Sequence, residues 1–600
     1  MPHLLFVNKS SSLVDLDARL ELRMQPVHKE RRVLWPTEPW ESWAVFAYNH
    51  VVAGDEASGR LHRLYYDCIE GAGVPPGLQD TISHRRICLA ESKDGLSWTK
   101  PELGIYNRSG STRNNILVED SGVSVFIDGN PATPADARWK MLCSNAAYAS
   151  PDGLRWRKLP FRPIAMDDTK PTGYYDPAVG KYVISVRRDL PPFDRTIGRC
   201  VTSNISDWQA AVPGHAGCDV VFRVDERDPQ PLDVYTNAWT PYPSIDAPLV
   251  HLFFPSMYMH FGAAAPFGLG NDGLLDIRLV VSLDGAQLGY TDASNARAPF
   301  VGLGTSTCGG SAHAPAVPGG WCAPDSKSLS TTSFDTSAVY MASGYVPSDD
   351  GSELFFYASG QPFTHGGDGR NQTWANNTGI RLLRVRRDGF VAVEAPYDFS
   401  EPLPTLTTVE VKVPSDCAAP TVLPGPVKSA CAYDYPGRAC PAALPAVACE
   451  SDADCGAHGS FTCHGDPVRC LARNGSKVCA SGGDDGDVLC LGNTSRLVGG
   501  VELRANVETS VVGFVAIEVL RGGRALDRFK RADRLKGSAI NAVASWDDGT
   551  TASISALAGS LVSLRVTMAD SKLYSLRLAC SSDPSRRLSF RSAKDAFIDS

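Results

Sequence analysis

Five acidic residues, most of them followed by Ser or Thr, recur where short strand-like runs of the sequence begin. They are Glu41, Asp120, Asp168, Asp233 and Asp335. Carboxyl groups gathered around one pocket suit glycoside hydrolysis, because one donates a proton to the leaving oxygen while another acts as nucleophile or activates water. In this interpretation Glu41 or Asp335 is the base or nucleophile, and Asp168 is the acid. Asp120 and Asp233 orient the sugar.

Side chains that could bind a sugar lie near the ends of the same runs. Aromatic rings stack on sugar faces, and cationic or phenolic groups bind hydroxyls or an acidic substituent. The predicted substrate-binding residues are Trp40, Trp43, Arg187, Arg188, Tyr235, Tyr258 and His260. A competing interpretation is that acids at strand ends only cap turns. Asp176, in an Asp-Pro pair followed by Gly180, is typical of such a turn, and Asp128 is open to either interpretation.

A repeated turn motif marks the elements that must position these residues. Its first two copies are Ser92-Lys-Asp-Gly-Leu-Ser-Trp98 and Ser150-Pro-Asp-Gly-Leu-Arg-Trp156, and weaker copies contain Asp207, Asp284 and Asp388. In such a turn the Asp side chain bonds to the backbone two residues on and the Gly supplies a positive φ. We therefore expect these Asp residues to be structural, each marking the outer hairpin of one unit. Five copies predict five units.

Composition and patterning predict an all-β protein. Gly and Pro are abundant, with 54 and 42 residues, and no long segment shows helical spacing of apolar residues. The predicted architecture is a five-bladed β-propeller followed by a β-sandwich that carries a disulfide-rich insertion. The expected boundaries are an N-terminal lead packing on the propeller over 1–30, the propeller over 31–400, the sandwich over 401–416 and 488–582, the cysteine-rich insertion over 417–487, and a polar tail over 583–600.

The cysteines favour disulfides over metal binding. Nine of them lie between Cys417 and Cys490, at spacings that do not match a zinc ribbon. Because nine is odd, we expect one of them to pair with Cys580. Local pairs are expected in the propeller, with Cys143 left free: Cys68 with Cys88, Cys200 with Cys218, and Cys308 with Cys322.

Charge, hydropathy and glycosylation sequons indicate which binding partners and which cellular compartment to expect. The chain has 58 Lys and Arg against 66 Asp and Glu, with no basic stripe, so a nucleic-acid partner is not expected. No apolar run is long enough to predict a membrane span. Seven Asn-x-Ser/Thr sequons and the cysteine density favour an extracellular or secretory protein, although the apolar stretch at the N-terminus is too short for a clear signal peptide. No redox or nucleotide cofactor is implied, and a structural calcium is conceivable where carboxylates meet. The sequence does not indicate an oligomeric state.

Several motifs together resemble a known group of enzymes. They are the run 88–104 with Asn114-Asn-Ile-Leu117, Tyr175-Asp-Pro177 with Gly180-Lys-Tyr-Val183, Phe254-Pro-Ser256, Asp276-Ile-Arg-Leu-Val280 and Ile380 to Phe390. The chain resembles five-bladed propeller glycoside hydrolases that are relatives of families 32 and 43. The resemblance covers about residues 4–415 and 490–580, and the cysteine-rich insertion lies outside it.

The resemblance implies three catalytic carboxylates from the first three blades. By blade position these are Glu41, Asp120 or Asp128, and Asp168. The sequence departs from the family pattern, because it has no Asn-Asp-Pro-Asn-Gly in the first blade, no Arg-Asp-Pro in the second and no Glu-Cys in the third. The function expected is hydrolysis of a glycosidic bond in an extracellular or cell-wall polysaccharide. The alternatives are a glycan-binding or cell-surface protein without catalysis, and a protein-interaction propeller with an apolar face.

Overall fold

The computed structural model describes most of the chain, and the fold below concerns that part. The described residues are 3–55, 58–71, 84–144, 146–161, 170–190, 194–207, 218–228, 232–242, 250–260, 273–304, 334–362, 364–365, 378–417, 421–423, 468–473, 476–481, 496–498, 500–547 and 553–581. In this part the helical elements are short: α1 (Lys9–Ser12) and the 3-10 segments Pro39–Glu41, Ala135–Ala137, Asp527–Phe529 and Ser555–Leu557. Strands make up most of the rest, so the predicted all-β class is confirmed. No helix of these residues is long and apolar enough to cross a membrane.

Five antiparallel units follow one another along the chain. Four strands precede them: β1 (His3–Leu5), β2 (Leu13–Leu16), β3 (Glu21–Met24) and β4 (His28–Leu34). The first unit contains β5 (Ala44–Val52), β6 (His62–Glu70), β7 (His84–Ser92) and β8 (Ile116–Val118). The second contains β9 (Ser124–Ile127), β10 (Trp139–Cys143), β11 (Ala146–Ser150) and β12 (Arg157–Lys158). The third contains β13 (Thr172–Asp176), β14 (Lys181–Leu190), β15 (Asp194–Thr202) and β16 (Asp219–Phe222).

The fourth and fifth units join in one sheet. The fourth contains β17 (Leu232–Tyr242), β18 (Val250–His260), β19 (Gly273–Ile277), β20 (Val280–Ser282) and β21 (Gly289–Tyr290). The fifth contains β22 (Ala338–Met341), β23 (Val346–Pro347), β24 (Glu353–Gln361) and β25 (Gly379–Arg386). A short parallel pairing of β19 with β22 connects the two units. The N-terminal strand β4 pairs with β25 and so completes the fifth unit.

The first strands of the five units form a closed series of contacts. β5 contacts β9, β9 contacts β13, β13 contacts β17, β17 contacts β22, and β22 contacts β5 again. A ring of inner strands is the arrangement of a propeller. We interpret the five units as the blades of the predicted propeller and call the space at the starts of the inner strands the funnel.

The Asp-Gly turns join the third and fourth strands of the first two units and join β20 to β21 in the fourth unit, in agreement with the predicted outer hairpins. Asp152 Oδ1 accepts the N–H groups of Leu154 and Arg155 at 2.9 Å each, and Gly153 has a φ of +74°. The same pair of bonds is made by Asp94 in the first unit and by Asp284 in the fourth. These Asp residues are therefore structural, as expected.

Replacing Asp152 by Ala is expected to lower the free energy of unfolding by about 1 kcal/mol, because two N–H groups of the turn lose their acceptor. Urea unfolding measures the change. Asp136→Ala is the matched control, since Asp136 is exposed on a short 3-10 segment, and it should change stability by less than about 0.5 kcal/mol. Equal effects of the two substitutions would contradict a structural role for the turn Asp.

The fifth copy of the motif, at Asp388, has a different role. Because β4 already occupies the place of a fourth strand, the chain leaves the fifth unit after β25 instead of folding back. Asp388 adopts a φ of +59°, and its carboxylate is buried. Its side chain bonds to His3 Nε2 at 3.0 Å, to Ser575 Oγ at 2.6 Å and to the Tyr242 hydroxyl. The motif here joins the N-terminal strand, the fourth unit and the C-terminal strand.

The remaining strands build a large C-terminal sheet. They are β26 (Val391–Ala395), β27 (Thr405–Thr408), β28 (Val411–Lys412), β33 (Val501–Arg521), β34 (Arg524–Ala525), β35 (Ser538–Val543) and β36 (Leu561–Cys580). Two separate pairs are β29 (Thr421–Leu423) with β32 (Arg496–Val498), and β30 (Val468–Arg473) with β31 (Ser476–Ser481). β33 and β36 pair along almost their whole length, with a register shift between Thr509 and Phe514. Hydrogen bonding joins the large sheet continuously through these two long strands, and its division into a sandwich stays a prediction.

The position of the N-terminal lead differs from the prediction that it packs on the propeller. β1 pairs with β36, β2 with β27, and β3 with β26, so the first strands belong to the C-terminal sheet. β26, expected within the propeller, also lies in this sheet. One apolar core joins the sheet to the fourth and fifth units, with Phe254, Phe356 and Phe390 among its fully buried rings. Burial of this shared apolar surface explains why the lead does not stand apart.

Three predicted disulfides are present. They join Cys68 to Cys88, Cys200 to Cys218, and Cys417 to Cys580. Cys143 is free and buried, as expected. Cys308, Cys322, most of the cysteine-rich insertion and the polar tail lie outside the described residues.

Candidate active site

Four of the five predicted acids lie where the sequence places them. Glu41, Asp120 and Asp335 come just before the inner strands β5, β9 and β22, and Asp233 is the second residue of β17. Asp168 lies outside the described residues. The hydrogen bonds and ion pairs of these four acids indicate which of them have a structural role and which are candidate catalytic residues.

Glu41 has a structural role in place of the predicted catalytic one. Its side chain is 0% exposed. Oε1 accepts the Tyr66 hydroxyl at 2.7 Å, and Oε2 accepts Lys100 Nζ at 2.5 Å. The N–H groups of Thr37 and Glu38 also donate to Oε2, at 2.9 and 3.1 Å. A buried carboxylate with this set of donors caps the 3-10 turn and does not face the funnel.

Asp335 is also structural rather than a base or nucleophile. Its Oδ2 lies 2.8 Å from Lys29 Nζ, and its Oδ1 lies 3.0 Å from Arg381 Nη2. Lys29 belongs to β4 and Arg381 to β25, the two strands whose pairing closes the ring. Asp335 is 2% exposed and has a cation beside each oxygen, so it holds β4 and β25 together.

Asp120 keeps features of an acid catalyst. It is half-buried, and its oxygens accept the Ser121 N–H at 2.8 Å and the Tyr148 hydroxyl at 2.9 Å. Burial raises the pKa of its carboxyl above the usual range, although the two donors oppose that shift. A carboxyl that holds its proton more strongly is suited to protonate a leaving oxygen.

Asp233 is a buried carboxylate near the start of the fourth inner strand. It is 3% exposed, and Oδ2 lies 3.1 Å from Arg195 Nη1 and 3.0 Å from His260 Nε2. Within the described residues, Oδ1 is buried and has no hydrogen-bond partner. Buried carboxylate oxygens are normally bonded, so an orphaned one beside Arg195 and His260 indicates a place for a ligand or a water. We call Asp233, Arg195 and His260 the Asp233 cluster.

Four tyrosines from three units form a wall beside this cluster, which we call the tyrosine wall. They are Tyr48, Tyr235, Tyr258 and Tyr340. The hydroxyls of Tyr48 and Tyr235 are 3.2 Å apart, although their strands belong to the first and fourth units. The Tyr235 ring meets the rings of Tyr258 and Tyr340 edge to face, with centroids 5.8 and 6.1 Å apart. All four side chains are buried, at 5%, 7%, 0% and 2% exposure, and they pack with Ala47, Leu275 and Ala338.

His365 connects the tyrosine wall to the cations. Its Nδ1 lies 3.0 Å from the Tyr340 hydroxyl, and its ring centroid lies 4.1 Å from that of Tyr235. Burial lowers the pKa of His365 to about 3, and the nearby charges of Arg195, Arg187 and His260 lower it further in the same direction. The imidazole is therefore neutral at ordinary pH.

The predicted sugar-binding residues do not all lie in one place. Tyr235, Tyr258 and His260 contact one another, and Arg187 joins them through the Tyr235 ring. Trp40, by contrast, lies in the core of the first unit, where its Nε1 donates to Asn115 Oδ1 at 2.8 Å. Trp43 is half-buried against Gly71, and the stem of Arg188 packs against Gly198. The stacking role predicted for Trp40 is wrong, because its ring fills the core.

Two buried ionisable residues near the inner strands were missed by the sequence analysis. Lys170 precedes β13 and donates to the Asn49 carbonyl at 2.5 Å, and burial lowers its pKa to about 7. Asp67 on β6 is close to the Gly122 N–H, at 3.1 and 3.2 Å from its two oxygens, and burial raises its pKa to about 7. Each of these pKa values lies near neutral pH. The sequence does not single out either residue, because one Lys or one Asp in a β-rich run belongs to no motif.

Arg195, Tyr48 and Tyr340 were missed for a different reason. Each lies on a strand that the sequence predicts, but nothing in one sequence says which residues of neighbouring units meet. Arg195 lies opposite Asp189 in the β14–β15 hairpin. The charged run Arg187-Arg188-Asp189 at the end of β14 was therefore the sequence feature that could have drawn attention to this hairpin. In the described part of the chain, no three His, Cys, Asp or Glu side chains gather as a metal site, and the suggested calcium has no identified position there.

Comparison with known proteins gives structural similarities only. No family model matches the sequence, and no curated protein matches it. The chain is similar to an N-acetylgalactosamine deacetylase from F. plautii in complex with blood group B trisaccharide, at 12% identity and a TM-score of 0.35, over 62% of this chain and 96% of that chain. It is similar to an alpha-L-arabinofuranosidase from Podospora anserina in complex with cellotriose, at 10% identity and a TM-score of 0.34, over 60% and 96% of the two chains.

A third similarity covers more of the chain. It is to a fructofuranosidase from Schwanniomyces occidentalis complexed with fructosylnystose, at 10% identity and a TM-score of 0.30, over 92% of this chain and 99% of that chain. Glycoside hydrolases are thus among the solved structures to which the chain is similar, as the sequence resemblance implies. These identities and scores assign the chain to no family, and its function has to be argued from its own site.

Proposed function

We propose that this protein is a glycoside hydrolase that cleaves a polysaccharide in its funnel. The observation that carries the proposal is Asp233, a buried carboxylate with one orphaned oxygen, held beside the tyrosine wall by Arg195 and His260. Arg195 and His260 hold Oδ2 in place, and Oδ1 is the oxygen that would activate water or attack the sugar.

The partner acid comes from another inner strand. Asp120 has a pKa raised by burial and precedes the second inner strand, so it is suited to protonate the leaving oxygen. Asp168, the acid expected from the sequence, keeps that role as an alternative. The tyrosine wall lies beside Asp233, and its hydroxyls bind sugar hydroxyls.

The disulfides support a proposal about the compartment. Pairs such as Cys417 with Cys580 persist in oxidising surroundings, so we place the protein in the extracellular space or the secretory pathway. Its substrate is then an extracellular or cell-wall polysaccharide.

A screen of polysaccharides and aryl glycosides tests the proposed function. We expect the chain to release reducing sugar or aglycone from at least one of them. Isothermal titration against the same panel separates the second candidate, a glycan-binding protein, because that protein would bind without release. Neither binding nor release across the panel would overturn both.

A further inference from the structure

Two guanidinium groups are held against the tyrosine wall. The β14–β15 hairpin brings Arg187 and Arg195 to the same end of the third unit. Arg187 lies 5.5 Å from the centre of the Tyr235 ring, and Arg195 lies 5.5 Å from that of Tyr258. Contacts of this kind are attractive and hold the cation in place. Both guanidinium groups are therefore in place before a ligand arrives.

A third side chain lies near both guanidinium groups. Burial lowers the pKa of His365, and the positive charges of Arg195 and Arg187 lower it further, so both groups lie near this one imidazole. Arg195 is also paired with Asp233, whose Oδ2 lies 3.1 Å from its Nη1.

Arg187 already forms an ion pair with a carboxylate of the protein. Arg187 Nε lies 3.1 Å from Asp189 Oδ1, and the two side chains are 7% and 43% exposed. Asp189 is the exposed partner of this pair, so solvent screens its charge and the carboxylate of a ligand competes with it for Arg187. The planar guanidinium group suits carboxylate and sulfate oxygens because it presents paired donors.

We propose that the funnel binds a glycan with an anionic substituent, either a uronic acid carboxylate or a sulfate ester, and that Arg187 with Arg195 beside it binds this substituent. Asp189 holds Arg187 in position in the free protein and gives way to the ligand. This inference deepens the proposed function and rests on it for the glycan.

Matched pairs of polysaccharides test the inference. One pair is a polyuronate and its carboxyl-reduced form, and the other is a sulfated galactan and its desulfated form. Binding is measured by isothermal titration and cleavage by reducing-sugar release. We expect the parent chain to prefer the anionic member of one pair, and the pair that shows the preference identifies carboxylate or sulfate.

Three substitutions sharpen the test. Arg187→Met should lower the preference for the anionic member about 10- to 100-fold, because a hydrogen bond to a charged group is lost. Arg187→Lys should lower it less, since the charge stays and the paired donors go, whereas Asp189→Asn should raise it by removing the competing carboxylate. Arg157→Met, at an exposed position on β12, is the matched control and should leave the preference unchanged.

The possible results separate this inference from the proposed function. Cleavage without preference for either anionic member overturns the anionic ligand and leaves hydrolysis standing. Preference in binding without release supports the anionic ligand and overturns hydrolysis. An undiminished preference in a folded Arg187→Met variant, checked by circular dichroism, overturns the role of Arg187.

Discussion

Replacing Asp233 by Asn is expected to lower kcat on a cleaved glycan about 10³-fold, the size of effect seen when a positioned acid or base is lost. Asn has the same shape, and its carbonyl oxygen still accepts a hydrogen bond from Arg195. The substitution removes the charge that activates water or attacks the sugar. Because the shape of the side chain and its hydrogen bond to Arg195 are kept, KM should stay close to that of the parent chain. Initial rates on the best substrate of the screen measure both constants.

The control for this substitution is Glu41→Gln. Glu41 is, with Asp335, one of the two bases or nucleophiles that the sequence predicts, but the structure places it in the turn before β5, bonded to Tyr66 and Lys100. Gln keeps the oxygen that caps the turn, so this variant should be less stable yet retain the kcat of the parent. A large loss of kcat in Glu41→Gln with normal activity in Asp233→Asn would reverse the assignment.

Replacing Asp388 by Asn is expected to lower the free energy of unfolding by about 3 to 5 kcal/mol, as is usual when one partner of a buried charged network is removed. The carboxylate bonds to His3, Ser575 and Tyr242, which come from three separate parts of the chain. Asn tolerates the φ of +59° at this position, so the loss reports the charge and its bonds and not backbone strain. Urea unfolding at pH 7 measures it.

The pH dependence of this loss has a definite sign. Burial alone would raise the pKa of Asp388, but the charge of His3 and the hydrogen bonds of His3, Ser575 and Tyr242 outweigh it and hold the pKa well below the usual range. A carboxylate with a lowered pKa stabilises the fold above the pKa of the unfolded chain, and this contribution is lost as the pH falls. The gap between parent and variant should therefore be full above about pH 5 and shrink below about pH 4. Asp350→Asn is the control, because Asp350 bonds only to nearby Ser348 and Ser352, and a gap as large as that of Asp388→Asn would count against the network.

The turns and strand starts were predictable from the sequence because their signals are local. An Asp and a Gly in an Asp-Gly turn satisfy requirements that lie within a few residues, as at Asp152, so the sequence shows them directly. The same is true of the disulfides closed over short loops, such as Cys68 with Cys88. The placement of acids before inner strands follows from those landmarks.

What those acids do was not predictable, because it depends on which distant residues meet them. Asp335 looks like Asp233 in sequence, yet Asp335 is paired with Lys29 and Arg381, whereas Asp233 keeps a free oxygen. Only the closing of the ring brings Lys29 beside Asp335. The signal that separates a structural carboxylate from a candidate catalyst is thus a contact between the two ends of the propeller, which one sequence does not contain.

The pairing of β4 with β25, and of β1 with β36, also sets the order in which this chain can complete its fold during synthesis. The first three units consist of neighbouring strands and can form as they leave the ribosome. The N-terminal strands must wait, with their backbone groups unpaired, until residues 380–386 and then residues 575–577 have been made. Interrupted synthesis therefore leaves an open ring with exposed strand edges, a species that is prone to aggregate and that a cell would have to shield or degrade.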